Sequence, residues 1–404
     1  MDDHRPAASA ARTEGPSTAL ITTIALAAGS LVANIYYAQP LVAEIAADLG
    51  IDADLAGALT STTQIGYGIG LFFLVSLADR VENKRLVLVT LTITLLGLIA
   101  MGLSTAVIPF FIASFVIGVC STGAQVLIPW VAHLVPLHRR GRVVGNVMGA
   151  VLTGIMLARP VSLFVAASFG WRAIFFVSAG LMALIGLSLA AMLPRQAPQS
   201  TISYRQIILS MGGLIRETPV LRWRSAYQAI IFCAFNLFWT AIPFALSDRF
   251  DLSQKQIGLF ALAGAGGALA APLVGRLADR GLGMLLSAIA MAGLALFFAV
   301  SGYAAASGAL FLLAVCAVLI DAAVQANQIV SQRIIFAISP EKRGRLNAIY
   351  MTCAFVGGAI GSTLGTISYH WAGFAGTAGF GCGLGVLGLI LFAIEQRGYR
   401  RAAA

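Results

Sequence analysis

Charge is what this chain has least of. Of 404 residues only 10% are Asp, Glu, Lys or Arg, while 59% are hydrophobic. Soluble domains carry about a quarter charged residues, so one soluble core is excluded and a chain that crosses a membrane many times is implied. Cysteine is sparse and unpatterned: Cys120, Cys233, Cys316, Cys353 and Cys382 lie in apolar runs, with no Cys-x-x-Cys or Cys/His spacing. They read as small apolar fillers rather than disulfides or metal ligands. The four histidines (His4, His133, His138, His370) fall near ends and loops. There is no phosphate loop and no Ser/His/Asp set. The sequence therefore reads as a non-enzyme without cofactor or metal, and without a nucleotide domain through which ATP could drive it.

What is abundant is apolar runs and small residues. The 43 glycines suit spanning helices that approach closely. A span needs roughly 20 apolar residues. Twelve such runs are expected, at 19–43, 54–78, 85–104, 108–134, 143–168, 172–193, 223–247, 257–278, 283–303, 307–336, 345–369 and 373–394. The longest break divides them into a first six-helix bundle (19–193) and a second (223–394). Between them runs a linker, 194–222, in which Tyr204–Arg216 reads either as an amphipathic surface helix or as plain linker. Residues 1–18 read as a disordered tail, and 395–404 as a second tail. The net charge of +10 does not imply nucleic acid, because the cations sit in short loops. Of the 26 Lys and Arg residues, 22 fall on one side of the membrane, Arg172, Arg249 and Lys255 on the other, and Arg159 within a span. By the positive-inside rule both termini are expected in the cytoplasm, which for a bacterial chain means the inner membrane.

The halves repeat. Leu77-Ala78-Asp79-Arg80 after span 2 answers Leu277-Ala278-Asp279-Arg280 after span 8; Arg140-Gly141-Arg142 answers Arg343-Gly344-Arg345; Gln125 answers Gln325. Three matches at corresponding places indicate a duplicated fold. On these residues the chain resembles the major facilitator superfamily. Gly275-Arg276-Leu277-Ala278-Asp279-Arg280-Gly281 is similar to its loop signature Gly-x-Leu-x-Asp-Arg-x-Gly, and the first copy is degraded, with Val75 and Glu82 in place of its glycines. The resemblance implies an all-α membrane protein with 12 transmembrane helices in two pseudo-symmetric six-helix bundles. It also implies a conformational latch at Asp79, Arg80, Asp279 and Arg280, and substrate transport by alternating access. Asn34-Ile-Tyr-Tyr-Ala-Gln-Pro-Leu-Val42 and Gly170-Trp171-Arg172 resemble the bacterial drug/proton antiporter branch. Two positions depart from that branch. Ser114 stands where it has an Arg, and Gly154-Ile-Met-Leu-Ala-Arg159-Pro160 alters its Gly-x-x-x-Gly-Pro signature.

Two charges inside spans demand an account. Asp321, Gln325, Gln328 and Gln332 recur at steps of four, three and four, which puts them on one helix face. Such a stripe cannot face lipid. At about 1.5 Å per residue, Arg159 lies about 24 Å and Asp321 about 22 Å from the same side. In the resembled fold spans 5 and 10 meet across the halves, so a direct or water-bridged pair is expected. Left alone, each charge would cost about 3 kcal/mol. The pair reads as a proton-coupling site, as a static strut, or as an anion receptor (Arg159) held in place by Asp321. Spans 1, 4, 7 and 10 line the cavity in that fold. The expected substrate contacts are therefore Asn34, Tyr37, Gln39, Gln125, Gln228, Asn236, Trp239, Gln325 and Gln328, suited to a small amphipathic ligand. The expected partners are that small molecule, protons and the lipid bilayer, with the protein a monomer. Proton-coupled export leads; exchange or uptake of an anionic metabolite, or a non-transporting sensor on the same fold, are the alternatives.

Overall fold

The computed structural model describes residues 16–78, 80–195, 203–267 and 270–403. Most of the expected 1–18 tail, the latch residue Asp79 and part of the linker lie outside them. The described chain is helical throughout. The first half contains α1 (Thr18–Ala33), α2 (Val42–Leu49), α3 (Ala58–Leu77), α4 (Asn83–Leu103), α5 (Val107–Ser121), α6 (Gly123–Leu134), α7 (Leu137–Phe169) and α8 (Ala173–Met192). The connecting helix α9 (Tyr204–Glu217) follows. The second half contains α10 (Pro219–Phe250), α11 (Gln254–Ala261), α12 (Ala263–Gly267), α13 (Ala271–Asp279), α14 (Gly283–Ala306), α15 (Leu310–Ile338) and α16 (Arg343–Ala403). α16 is two arms, bent at Ala372 and at Gly373 with φ +61°.

Among the described residues nine helices are long and apolar enough to cross a membrane. Both arms of α16 belong to one of these. The two remaining crossings are broken, which brings the architecture to twelve spans in two six-helix bundles. Span 1 stops at Ala33; the chain turns through 34–38, passes a 3-10 turn at Gln39–Leu41 and resumes as α2. Pro40 lacks the N–H that a continuous helix would need. Span 8 is split into α11, α12 and α13, where Gly264, Gly266 and Gly267 weaken helical preference. Span 4 is interrupted at Thr122, between α5 and α6. Arg140–Arg142 and Arg343–Arg345, expected in loops, lie in the first turns of α7 and α16. α10 starts at Pro219, four residues before the expected span.

α9 is the amphipathic helix. A Ser203/Gln206 capping box starts it, and it buries Ile207, Met211 and Leu214 against the bundle. It touches both halves: the Tyr204 hydroxyl donates to the Phe73 carbonyl (2.9 Å), and Arg345 donates to Ser210 (2.7 Å).

The duplication is visible in the packing. α1 crosses α7 where Gly29 meets Ala150 and Gly154, and α10 crosses α16 where Ala229 and Cys233 meet Gly357 and Gly361. These close approaches knit helices within each half, and a Cβ added at Gly145 or Gly149 would meet nothing within 4 Å. Gly358 meets the other half, at Gln64 of α3. A Cβ on Gly361 would overlap the Cys233 carbonyl, whereas Gly383 has open space. Overpacking costs about 1–3 kcal/mol. Gly361→Ala is therefore expected to lower the unfolding midpoint of the detergent-purified protein by several degrees and Gly383→Ala to leave it in place, as read by differential scanning fluorimetry.

Candidate functional site

A cavity of about 390 Å³ lies between the halves. The helix ends that carry Arg139, Arg140, Arg142, Arg333, Arg343 and Arg345 define one face, here called the basic face. The cavity runs from that face, where Met148, Gln332, Phe336 and Asn347 line it, to a closed end at Tyr36, Arg159 and Asp321. Of the α7 residues that line it, Met148 is 39% exposed and Arg159 4%. Beyond the closed end the halves are zipped. Thr366 accepts from the Gly57 N–H (3.2 Å) and donates to the Asp54 carbonyl (2.9 Å), and Gln254 bonds Glu44.

The two charges meet at the closed end, with a ring between them. The indole N–H of Trp239 on α10 donates to Asp321 Oδ1 at 2.8 Å. The Arg159 guanidinium lies 4.6 Å from the Trp239 ring, and 5.1 Å from each of Tyr36 and Phe235. Such a cation–π cage is worth about 2 kcal/mol or more where water is excluded. The ion pairs among the described residues are Arg172–Asp48, Arg224–Glu395 and Arg333–Asp279. Arg159 and Asp321 are thus coupled through Trp239 rather than by direct contact. Gly264 and Gly267 of the broken span let α12 come up against Trp239 and Asp321; a Cβ at either would collide.

Arg159 Nε donates to Gln39 Oε1 (2.9 Å); Gln39 donates to Asn236 Oδ1 (3.1 Å) and Thr240 (3.2 Å); Gln64 donates to the same Asn236 oxygen (2.6 Å). This chain of carboxamides ties α3 and α7 of one half to α10 of the other. Arg159 Nη2 is buried without a hydrogen-bond partner, as is Gln64 Oε1 of the same net. Arg159 and Trp239 also line a void of about 10 Å³ on the far side, at the threshold of room for one water (roughly 10–15 Å³). The two side chains therefore separate the cavity from this void, and the zipped contacts lie beyond it.

Of the expected substrate contacts, Gln125, Gln325 and Gln328 line the cavity with Asp321 and Arg159. Gln39, Asn236 and Trp239 stand behind its closed end. Gln228 is buried between α10 and α15, accepting from Asn327 (2.9 Å) and donating to Gln328 (3.4 Å). Asn34 and Tyr37 are not in the cavity. Asn34 accepts from Ser178 (2.6 Å) inside the first half, and Tyr37 faces a lateral groove between α1 and α7. Both were expected on a continuous span over 19–43, but α1 ends at Ala33, and Tyr36 takes the cavity position. Of the residues expected to form a latch, Asp279 pairs with Arg333 of α15, Arg80 ends the bend after α3, and Arg280 is exposed. The sequence also missed Tyr67, whose hydroxyl accepts from Gln125 (3.3 Å), and Phe355.

A second buried cluster lies outside the cavity. Arg224, counted as a loop cation, is 1% exposed and sits 3.9 Å from Glu395, which is 4% exposed and accepts from the Tyr227 hydroxyl (2.7 Å). Arg224 also donates to Ser287 (3.1 Å), tying the starts of α10 and α14 to the end of α16.

Comparison with known proteins agrees with this geometry. The family model of the Major Facilitator Superfamily matches residues 24–326 and 224–402. The chain belongs to the Major Facilitator Superfamily. A putative uncharacterized transporter, YgaY of Escherichia coli (strain K12), is 35% identical over 396 residues, covering 96% of this chain and 98% of that protein. A probable transporter of Streptomyces coelicolor, SCO4007, is 31% identical over 369 residues, 89% of this chain and 84% of that one. A crystal structure of a D-xylose–proton symporter superposes with a TM-score of 0.77 at 17% identity, covering 93% of this chain and 96% of that chain; this likeness is one of fold. The chain is a transporter of the major facilitator type.

Trp239→Phe keeps a ring over Arg159 and deletes the N–H given to Asp321. A lost hydrogen bond to a buried charge costs about 1–3 kcal/mol. The variant is expected to unfold a few degrees lower, and adding Asp321→Asn to cost less than the two single losses summed, because the sites are coupled. Additive midpoints in that double-mutant cycle would count against the contact.

Proposed function

We propose that the protein exports small organic or amphipathic molecules in exchange for protons, by alternating access, with Asp321 as the proton carrier. The observation that carries this reading is that Asp321 is the one carboxylate among the cavity-lining residues, and it stands on one half directly behind a cation held by the other. The basic face is taken as cytoplasmic, so the structure is the inward-open state of a bacterial inner-membrane protein with both termini inside. The halves, 19–193 and 223–394, tilt as units joined by 194–222. When the far side opens, Arg159 leaves with α7 while Trp239 and Asp321 stay together on the second half. A carboxylate parted from its cation takes a proton from the far side, and return to the inward state releases it as the pair re-forms. Asp279 with Arg333, together with Asp79, Arg80 and Arg280, serves as the latch at the basic face. A mostly apolar cavity with scattered carboxamides suits amphipathic cargo.

One observation favours a second reading, exchange or uptake of an anion: Arg159 Nη2 is buried and unpartnered. A sensor without flux would bind ligand and move nothing.

Proteoliposomes loaded with a pH dye and offered a panel of aromatic and amphipathic compounds decide between these. Asp321→Asn is expected to reduce compound-driven proton movement by at least about tenfold, on the scale of one lost charge interaction, with the protein still monodisperse. Undiminished proton movement in that variant removes Asp321 from the mechanism. Acceleration by an anionic counter-substrate would favour exchange.

A further inference from the structure

The walls of the cavity differ in chemistry, and the difference specifies a ligand. One wall is a continuous aromatic surface. Tyr67 and Phe355 have ring centroids 4.4 Å apart, Phe355 and Phe232 5.1 Å, and Phe232 and Phe235 5.3 Å, stacked with their planes 16° from parallel. It is built from α3, α16 and α10, so both halves contribute. It ends at the Arg159 cage, since Phe235 belongs to both. Aromatic faces of this kind take a planar ring by offset or edge contact.

Two polar groups near the closed end are uncommitted. Arg159 is 4% exposed, and its Nη2 finds no acceptor in the protein. A buried charged donor left unpaired is costly, and an acceptor oxygen at this end would satisfy it once the guanidinium turns that nitrogen, closed off here, toward the cavity. Gln325 lines the cavity four residues from Asp321, about 6 Å along α15, and its side chain forms no hydrogen bond within the described residues. Its neighbours are committed: Gln328 to Gln228, Gln332 to Asn347, Gln125 to Tyr67. A free carboxamide offers one acceptor and two donors, the complement of another amide.

The charges there already balance. Arg159 and Asp321 are one of each sign, joined through Trp239. A third charge brought into a poorly hydrated site would have to be desolvated without a counterion of its own. A neutral carbonyl bears no such penalty.

From these three features we infer that the cavity's closed end is a subsite for an uncharged arene bearing an amide: the ring lies on the Phe232–Phe355–Tyr67 wall, the carbonyl oxygen accepts from Arg159 Nη2, and the amide N–H donates to Gln325. This names the substrate class within the export reading and rests on that reading only for the word substrate; the binding itself needs no gradient.

The test is therefore equilibrium binding to the full chain in nanodiscs, with no pH or ion gradient, by isothermal titration. The probes are biphenyl-4-carboxamide, biphenyl-4-carboxylate, 4-phenylbenzylammonium and unsubstituted biphenyl, which share one ring system and differ in the polar group. The carboxamide is expected to bind tightest, by about tenfold over either ion, the equivalent of one good hydrogen bond. Gln325→Leu, at a side chain that bonds nothing else, is expected to erase most of that advantage while leaving biphenyl affinity unchanged. Tighter binding of the carboxylate would turn the subsite into an anion receptor and overturn the inference. Tighter binding of the ammonium ion, no difference among the probes, no binding at all, or an unaltered preference in Gln325→Leu would overturn it as well. Asp321-dependent proton movement with loss of this preference would leave the export reading standing and remove only the ligand class.

Discussion

One indole ring lets two opposite charges stand inside a hydrophobic bundle without touching. A bare ion pair taken from water must recover several kcal/mol of desolvation per ion from its mutual attraction. Here the work is divided. Asp321 receives a hydrogen bond from the edge of Trp239, and Arg159 lies over its face, where the ring's electron-rich surface attracts a cation. Because α10 supplies the ring, α15 the acid and α7 the base, the arrangement exists only while the two halves meet at this level. The breaks in the neighbouring spans serve it. The glycines of α12 admit the bulk of Trp239 and Asp321, and the turn after α1 brings Gln39 and Tyr36 to the guanidinium.

Carboxamides do elsewhere what charges would do in a soluble interface. Gln39, Gln64 and Asn236 cross the boundary between the halves, and Gln228 and Asn327 join α10 to α15. An amide gives and accepts, so such a net can re-pair after a small displacement without leaving an ion stranded in a low-dielectric setting. The fully charged cluster, Arg224 with Glu395, sits inside the second half, where no relative motion of the halves would pull it apart.

How much of this was legible in the sequence depended on helix continuity. The Asp321–Gln325–Gln328 stripe was readable because α15 runs unbroken for 29 residues, so periodicity and facing agree. Arg159 was readable for the same reason on α7, and their equal depth followed from counting residues. Asn34 and Tyr37 were misplaced because α1 ends before them; a Pro-containing turn changes the facing of everything after it, and only Pro40 hinted at that. Glu395 was placed in the 395–404 tail and Arg224 among the cations of the positive side because both fall at span ends, where composition cannot separate a residue that reaches water from one turned into the core. The interposed ring was out of reach altogether, since Trp239 looked like one more cavity aromatic and nothing in spacing reveals what stands between two distant residues.

The thinness of the partition has a consequence of its own. Between the open chamber and the far-side void there is little more than one guanidinium and one indole. Behind that void the Gly57–Thr366 and Glu44–Gln254 contacts hold the far side shut. A fixed positive charge at the narrowest point repels hydronium and other cations, as arginines do at the constrictions of water-selective pores. The closed end is therefore a charged inner barrier backed by a hydrogen-bonded outer seam, and a tilt of the halves must part both to change which side the chamber faces.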